Sequence, residues 1–80
     1  MTLSMAFKER ITELLLANNM SKYRLEKDSG LTHSALRHIF NGNTKDVSMS
    51  SVAKVCKVFK ITMAEFMASP LFNLEDIYFE

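Results

Sequence analysis

The first predicted element is a helix, indicated by apolar residues that recur at intervals of three and four positions. From about Met5 to Asn18, apolar residues fall on one side of such a helix and charged residues on the other. The inward set is Phe7, Ile11, Leu14 and Leu15, and the outward set is Lys8, Glu9, Arg10 and Glu13. This spacing predicts an amphipathic helix that covers one side of a core.

Four further helix starts share one local pattern. In each, an apolar residue precedes a Ser or Thr, and a second apolar residue follows four positions later; the hydroxyl residues are Ser21, Thr32, Ser48 and Thr62. Such a hydroxyl accepts a hydrogen bond from a free amide of the first turn, and the apolar pair fixes the angle of entry. Thr62 has Glu65 three positions on, which completes a capping box. Ser21 has Arg24 there instead, so we expect a weaker cap.

The last two of these starts belong to helices that end the predicted fold. The fourth helix, about Met49 to Phe59, places apolar residues inward and three lysines outward; the inward set is Val52, Val55, Cys56 and Phe59, and the lysines are Lys54, Lys57 and Lys60. The fifth, about Met63 to Ala68, must end before Pro70, which lacks an amide proton. No stretch alternates with period two for long enough to need a sheet. The chain is therefore predicted to be all-α with five helices.

Length and composition narrow the class of protein. Eighty residues, 48% of them apolar, suit one domain with a modest core and argue against disorder. The apolar runs are far too short for a membrane span and the first residues do not resemble a signal peptide, so we expect a cytoplasmic location. The single cysteine, Cys56, has no partner for an intrachain disulfide. It is interpreted as a small buried residue rather than a reactive thiol.

Catalysis and metal binding have no support in the sequence. No Ser or Cys nucleophile has a placed base, and no glycine-rich phosphate loop is present. His33 and His38 could suggest a metal pair, but a separation of five residues does not align them on a helix, and no third ligand lies near. We therefore expect neither an enzyme nor a cofactor nor a metal.

The net charge of +1 is divided unevenly along the chain. Residues 1 to 62 hold all ten Lys and Arg and five acids, a net charge of +5, whereas residues 63 to 80 hold four acids and no base, a net charge of −4. Phosphate neutralisation by the basic part would supply non-specific affinity for nucleic acid. An ordinary solvated surface explains the charge equally well, so charge alone does not decide.

The second and third helices favour the nucleic-acid interpretation. Gly30 falls where the chain must turn sharply, at a point where positive φ suits glycine. After it, Leu31, Leu36, Ile39 and Phe40 can face inward. The side chains that then face outward form what we call the polar strip: Thr32, His33, Ser34, Arg37, His38 and Asn41. Short hydrogen-bonding groups with an Arg one turn on suit the major groove of DNA.

The segment Ser21 to Gly42 resembles the phage-repressor and Cro family of helix-turn-helix regulators, also called the xenobiotic-response-element type. The positions that match are Ser21, Leu25, Gly30, Leu31, Thr32, Ser34, Leu36, Ile39, Asn41 and Gly42. The resemblance implies a compact five-helix, lambda-repressor-like bundle whose third helix enters the groove. It also implies that Lys22, His33, Ser34 and Arg37 meet DNA, with Asn41 and Lys45 along the backbone.

One position departs from that family, and two histidines allow more than one interpretation. Where the family usually has a small residue in the middle of helix two, this chain has Glu26, whose carboxylate must reach solvent or pair with a basic side chain. His33 is interpreted as a base or phosphate contact. His38 is either a contact or a surface or half-buried packing residue. We also hypothesise that protonation of both histidines near neutral pH strengthens DNA binding.

Residues 1 to 69 are interpreted as the DNA-binding domain, with the helix-turn-helix at 21 to 41, and residues 70 to 80 as a short C-terminal extension. Asn73 could cap one more helical turn there, with Phe72 and Ile77 as the flanking apolar pair. The apolar residues of this extension either pack back on the domain or meet a second copy. Both alternatives stay open at this point.

The sequence thus predicts a sequence-specific DNA-binding transcriptional regulator of prokaryotic or phage type. It would bind an operator in double-stranded DNA, as a repressor and as a homodimer. The alternative is a helical protein-interaction module, such as an antitoxin-like or regulator-binding domain. The residues expected to contact DNA are Lys22, Thr32, His33, Ser34, Arg37, His38, Asn41 and Lys45.

Overall fold

A computed structural model describes residues 1–41 and 47–79 of the chain. The helices are α1 (Leu3–Ala17), α2 (Lys22–Ser29), α3 (His33–Asn41), α4 (Met49–Phe59) and α5 (Met63–Met67), and two 3-10 turns follow at Pro70–Phe72 and Leu74–Asp76. No strand occurs in the described ranges. The predicted all-α fold with five helices is therefore confirmed. In those same ranges, no helix has both the length and the apolar character needed to cross a bilayer.

The four predicted caps explain where α2 to α5 begin. The hydroxyls of Ser21, Thr32, Ser48 and Thr62 each accept a backbone N–H three residues on, at 3.0 to 3.1 Å. The capping box is complete, because Thr62 N also donates to Glu65 Oε1 at 2.9 Å. Gly30 ends α2 with φ +77°, as predicted. A Cβ there would meet nothing within 4 Å, so the glycine is required by the backbone conformation rather than by close packing.

Helix α1 begins earlier than the sequence pattern predicted. It starts at Leu3 rather than near Met5, because the Thr2 hydroxyl caps it by accepting Met5 N at 3.2 Å. Ser4, one of the two added residues, is buried, and so is Ala6 in the same turn. Met1 precedes Thr2 and Ala6 follows it four positions later, so the pattern of the other four starts is present here in a weaker form, with a small residue as its second member, and the sequence reasoning missed it.

The core lies where the inward faces of the five helices meet. Helix α2 packs on α4, α1 on α3, and α4 on α5, while the first 3-10 turn packs on α1. The buried cluster includes Phe7 and Ile11 of α1, Leu25 of α2 and Phe66 of α5. Cys56 is buried as predicted, and this burial raises the pKa of its thiol. Such a thiol stays protonated and behaves as a small apolar side chain.

The C-terminal extension lies against the chain's own first residues. The Phe72 ring is 5.8 Å from the Phe66 ring, and Ile77 is only 6% exposed. Tyr78 N donates to Met1 O, and the Met1 ammonium group donates to Asp76 O, both at 3.1 Å. Part of the extension therefore packs back on the domain. Three of its apolar side chains nevertheless remain exposed: Leu74, Tyr78 and Phe79.

Asn73 caps a turn in this extension, as predicted. Its Oδ1 accepts Glu75 N at 3.2 Å. The turn that follows is a single 3-10 turn from Leu74 to Asp76 rather than an α-helical turn. The segment after the cap is short, and a helix of so few residues does not offset the cost of nucleation, so little favours extending the turn.

Candidate nucleic-acid interface

The polar strip is the outward face of α3. All six of its side chains are exposed, including His38, whose position had two interpretations. On the opposite face, Leu36 and Ile39 are buried in the core. The chain therefore anchors α3 by its apolar face and leaves its hydrogen-bonding groups in solvent. None of the described residues covers the strip, since the C-terminal extension packs on α1 and α5.

The strip borders a groove between α2 and α3, which we call the α2–α3 groove. Its volume is about 320 Å³. The residues that line it are Lys22, Tyr23 and Glu26 from α2 and His33, Leu36, Arg37, Phe40 and Asn41 from α3. Three members of the polar strip therefore face α2, while Thr32, Ser34 and His38 lie away from it. Helix α2 thus shapes the surroundings of only half of the strip.

Glu26 pairs with His33 across this groove. Its Oε1 lies 2.6 Å from His33 Nδ1, and the two side chains are 28% and 78% exposed, respectively. Glu26 was expected to reach solvent or to pair with a basic side chain, and it pairs with the imidazole of His33. His33 was predicted as a contact to DNA, and the structure adds an intramolecular partner on one of its two ring nitrogens. The other nitrogen, Nε2, is at the far side of the ring from that bond.

Lys22 also makes an intramolecular contact that the sequence did not suggest. Its Nζ lies 4.3 Å from the centroid of the Phe40 ring. An ammonium group over an aromatic face is attracted by the ring quadrupole. Phe40 was predicted to face inward and is half-buried, so one part of its ring contacts the core and another supports the lysine. This contact holds a positive charge at the rim of the groove.

The basic side chains around the groove differ in what they contact. Arg24 Nε is held by Asp28 Oδ2 at 2.6 Å, on the exposed side of α2. Arg37 is exposed, and no hydrogen bond or ion pair joins its guanidinium to the residues at 1–41 and 47–79. Lys45, the last of the predicted contacts, lies outside the described residues. Of the basic groups that line the groove, Lys22 and His33 have an intramolecular partner, and Arg37 has none among the described residues.

One residue and one contact at the groove were missed by the sequence reasoning. Tyr23 is 73% exposed and lines the groove beside Lys22. Its only signal was an aromatic residue at a position of α2 that does not face the core. The partner of Glu26 was the second omission, since nothing in a linear sequence marks a contact between α2 and the start of α3.

Comparison with known proteins agrees with this geometry. The family model described as "Cro/C1-type HTH DNA-binding domain" matches residues 10–69, three quarters of the chain. The match includes α2, α3 and the turn between them. No curated protein and no solved structure matched the chain.

Proposed function

The chain belongs to the Cro/C1-type family of helix-turn-helix DNA-binding domains, and we propose that it is a sequence-specific, operator-binding transcriptional regulator of prokaryotic or phage type. The observation that carries this proposal is the exposed polar strip on a helix whose other face is fixed in the core. A short helix that is held rigidly and presents hydrogen-bonding side chains suits the major groove. Binding to such DNA would place the protein in the cytoplasm.

The proposed contacts divide into those that read bases and those that hold the backbone. His33 and Ser34, at the start of α3, face base edges, and Arg37 bonds a guanine through two nitrogens. Thr32 and His38, at the margins of the strip, reach base edges or phosphates. Lys22, Asn41 and Lys45 bind phosphates, which position the protein without reading sequence.

We propose that the regulator is a homodimer that represses by occupying two half-sites about one DNA turn apart. Residues 1 to 69 would be the DNA-binding domain and residues 70 to 80 an extension that contributes to the dimer contact. The exposed Leu74, Tyr78 and Phe79 support this role, because three large apolar side chains in one short segment are costly to leave in water. Replacing the exposed Tyr78 and Phe79 together by serine should then abolish the dimer in sedimentation, while Phe72 and Ile77 keep their packing on the domain.

The experiment that tests DNA recognition is a selection of bound sequences from random duplexes, repeated at two salt concentrations. One preferred sequence should emerge at both, with weaker binding at the higher salt. Arg37→Ala should then weaken binding to that sequence by about 1 to 3 kcal/mol and relax the preference at one base pair.

Lys57→Ala is the matched control, because it removes one exposed positive charge from α4, at a residue that does not line the α2–α3 groove. It should change affinity little and leave the preferred sequence unaltered. If the two variants behave alike, or if the wild-type protein selects no sequence, the proposal is wrong.

The same exposed apolar side chains favour a second candidate function, a protein-interaction module. In that case the extension would bind a partner protein such as a toxin or another regulator. Arg37→Ala would have no effect on partner binding, whereas Tyr78→Ser or Phe79→Ser would abolish it. Parallel binding measurements with duplex DNA and with the partner separate the two functions.

A further inference from the structure

The Glu26–His33 contact determines which nitrogen of the imidazole faces outward. A carboxylate only accepts hydrogen bonds, so the proton shared at 2.6 Å belongs to Nδ1 of His33 whether the ring is neutral or charged. In the neutral ring, Nε2 then carries a lone pair and accepts. In the imidazolium ion, Nε2 carries a proton and donates.

We infer that Glu26 is a positioning residue that fixes the tautomer of His33, so that His33 Nε2 reads one base edge with a preference that changes with pH. The inference rests on the proposed function. His33 is the first residue of α3, and the first residues of a recognition helix are those that face base edges. As an acceptor, Nε2 suits the amino group of adenine or cytosine. As a donor, it suits guanine or the O4 of thymine.

A base preference that changes with pH could also arise from another titratable side chain in the groove. The charged or titratable ones are Glu26, Lys22 and Tyr23 from α2 and Arg37 from α3, and no other described element lines the groove. Lysine, arginine and tyrosine ordinarily titrate well above pH 8, and carboxylates below pH 5. An imidazole is the side chain of this group that ordinarily changes charge between about pH 5 and pH 8.

The first test needs no DNA. Nuclear magnetic resonance of the ring nitrogens in the free protein at about pH 8 reports which nitrogen carries the proton. The wild-type protein should show the Nδ1-protonated tautomer. Glu26→Ala should lose it, and Glu26→Gln should weaken it, because a side-chain amide can either accept a hydrogen bond from Nδ1 or donate one to it. The inference is overturned if Glu26→Ala shows the same tautomer as the wild type, or if the wild type carries the proton on Nε2.

The second test measures base preference. Selections from random duplexes at about pH 8 and about pH 5.5 should differ at one base pair, with a shift from an amino donor to a carbonyl or ring-nitrogen acceptor. The change in preference should be roughly fivefold to tenfold, the range expected for one hydrogen bond. Glu26→Ala should abolish this behaviour, and Glu26→Gln, whose amide can also donate to Nδ1, should weaken it. Asp28→Ala is the matched control, since it removes a carboxylate from the same helix that does not line the groove.

The possible failures are distinguishable. If the wild type prefers no duplex at either pH, the proposed function fails and this inference fails with it. If a preferred sequence exists but Glu26→Ala leaves the pH shift intact, the proposed function stands and the inference alone is wrong. If lower pH strengthens binding to all duplexes equally, His33 contacts a phosphate, and the assignment to a base edge is wrong.

Discussion

Two arginines show how differently the two sides of this molecule use the same side chain. Arg10 of α1 is 19% exposed, and its Nε and Nη2 donate to the carbonyl oxygens of Phe66 and Glu65 at 2.8 and 3.0 Å. Its guanidinium carbon also lies 5.7 Å from the centroid of the Phe66 ring. Arg37 of α3 is exposed and has none of these contacts within the described ranges. One arginine joins α1 to α5, and the other makes no such contact and lies in solvent.

The same contrast extends to the neighbouring groups. On the side formed by α1, α5 and the extension, the Met1 ammonium, Tyr78 N and Thr62 N all have partners inside the chain. On the outward face of α3, Ser34 and His38 end in solvent. Polar groups that are satisfied internally stabilise the scaffold, and those that are not remain available for recognition. The two sides should therefore respond differently to matched substitutions.

The largest expected effect is the loss of stability in Arg10→Ala. This change leaves two carbonyls at the end of α5 without their charged donor and removes the guanidinium that lies over the Phe66 ring. The free energy of unfolding should fall by roughly 2 to 3 kcal/mol, the range for hydrogen bonds to a charged group. Urea denaturation measures it.

Arg37→Ala is the matched control for that stability measurement, since it should change the free energy of unfolding by no more than about 0.5 kcal/mol. Arg10→Lys should fall between wild type and Arg10→Ala, because an ammonium group cannot bond two carbonyls in the fixed geometry of a guanidinium. Equal losses for the two alanine variants would show that the two sides do not differ in the way described.

A smaller effect is expected from the caps of α3 and α4. Thr32→Ala and Ser48→Ala should each lower the free energy of unfolding by about 1 kcal/mol, because each removes the acceptor for one amide of the first turn. Only Thr32 belongs to the polar strip. Its hydroxyl accepts Ala35 N and still has its own proton to donate to DNA.

Binding measured where both cap variants are fully folded should therefore weaken for Thr32→Ala and stay unchanged for Ser48→Ala. A uniform loss of affinity in both would mean that removing a cap weakens binding wherever the cap lies, and that the Thr32 hydroxyl makes no specific contact. Unchanged affinity in both would remove Thr32 from the set of proposed contacts.

Much of this architecture is encoded locally, which is why the sequence predicted it. A cap needs a hydroxyl and an amide three residues apart, and a buried face needs apolar residues at helical spacing. Ser21, Thr32, Ser48 and Thr62 therefore marked four helix starts correctly, and Gly30 marked the turn between α2 and α3. The six members of the polar strip followed from the same periodicity.

The contacts that the sequence did not predict join residues from different elements. Arg10 was assigned to the solvent face of α1 because its position in the helical repeat is outward, yet its carbonyl partner Phe66 lies 56 residues away. The Glu26–His33 contact spans a turn, and its existence depends on the angle at which α2 crosses α3. Periodicity fixes the direction of a side chain but not the element that it meets there.

The smallest expected effect is the acid dependence of stability that Glu65 gives to the side formed by α1, α5 and the extension. The backbone N–H of Thr62, and then its hydroxyl, holds the pKa of the Glu65 carboxyl below its ordinary value of 4.5. Because the folded pKa is the lower one, this group stabilises the fold fully above the ordinary value. The contribution is lost as pH falls through the lowered pKa. Glu65→Gln retains an acceptor for Thr62 N but does not titrate, so it should lack this dependence.

The difference in unfolding free energy between wild type and Glu65→Gln should therefore be constant above about pH 6 and should fall as the solution becomes more acidic than the ordinary carboxyl range. If the plots of unfolding free energy against pH for the two proteins stay parallel down to about pH 3, the capping box contributes nothing through charge. This acid effect on folding lies below the range in which an imidazole titrates, so it cannot produce a change in base preference between about pH 5.5 and pH 8. One set of titrations can therefore separate the acid dependence of folding from the proposed pH dependence of base preference at the α2–α3 groove. If Glu65→Gln altered the pH dependence of base preference, the two sides would be coupled.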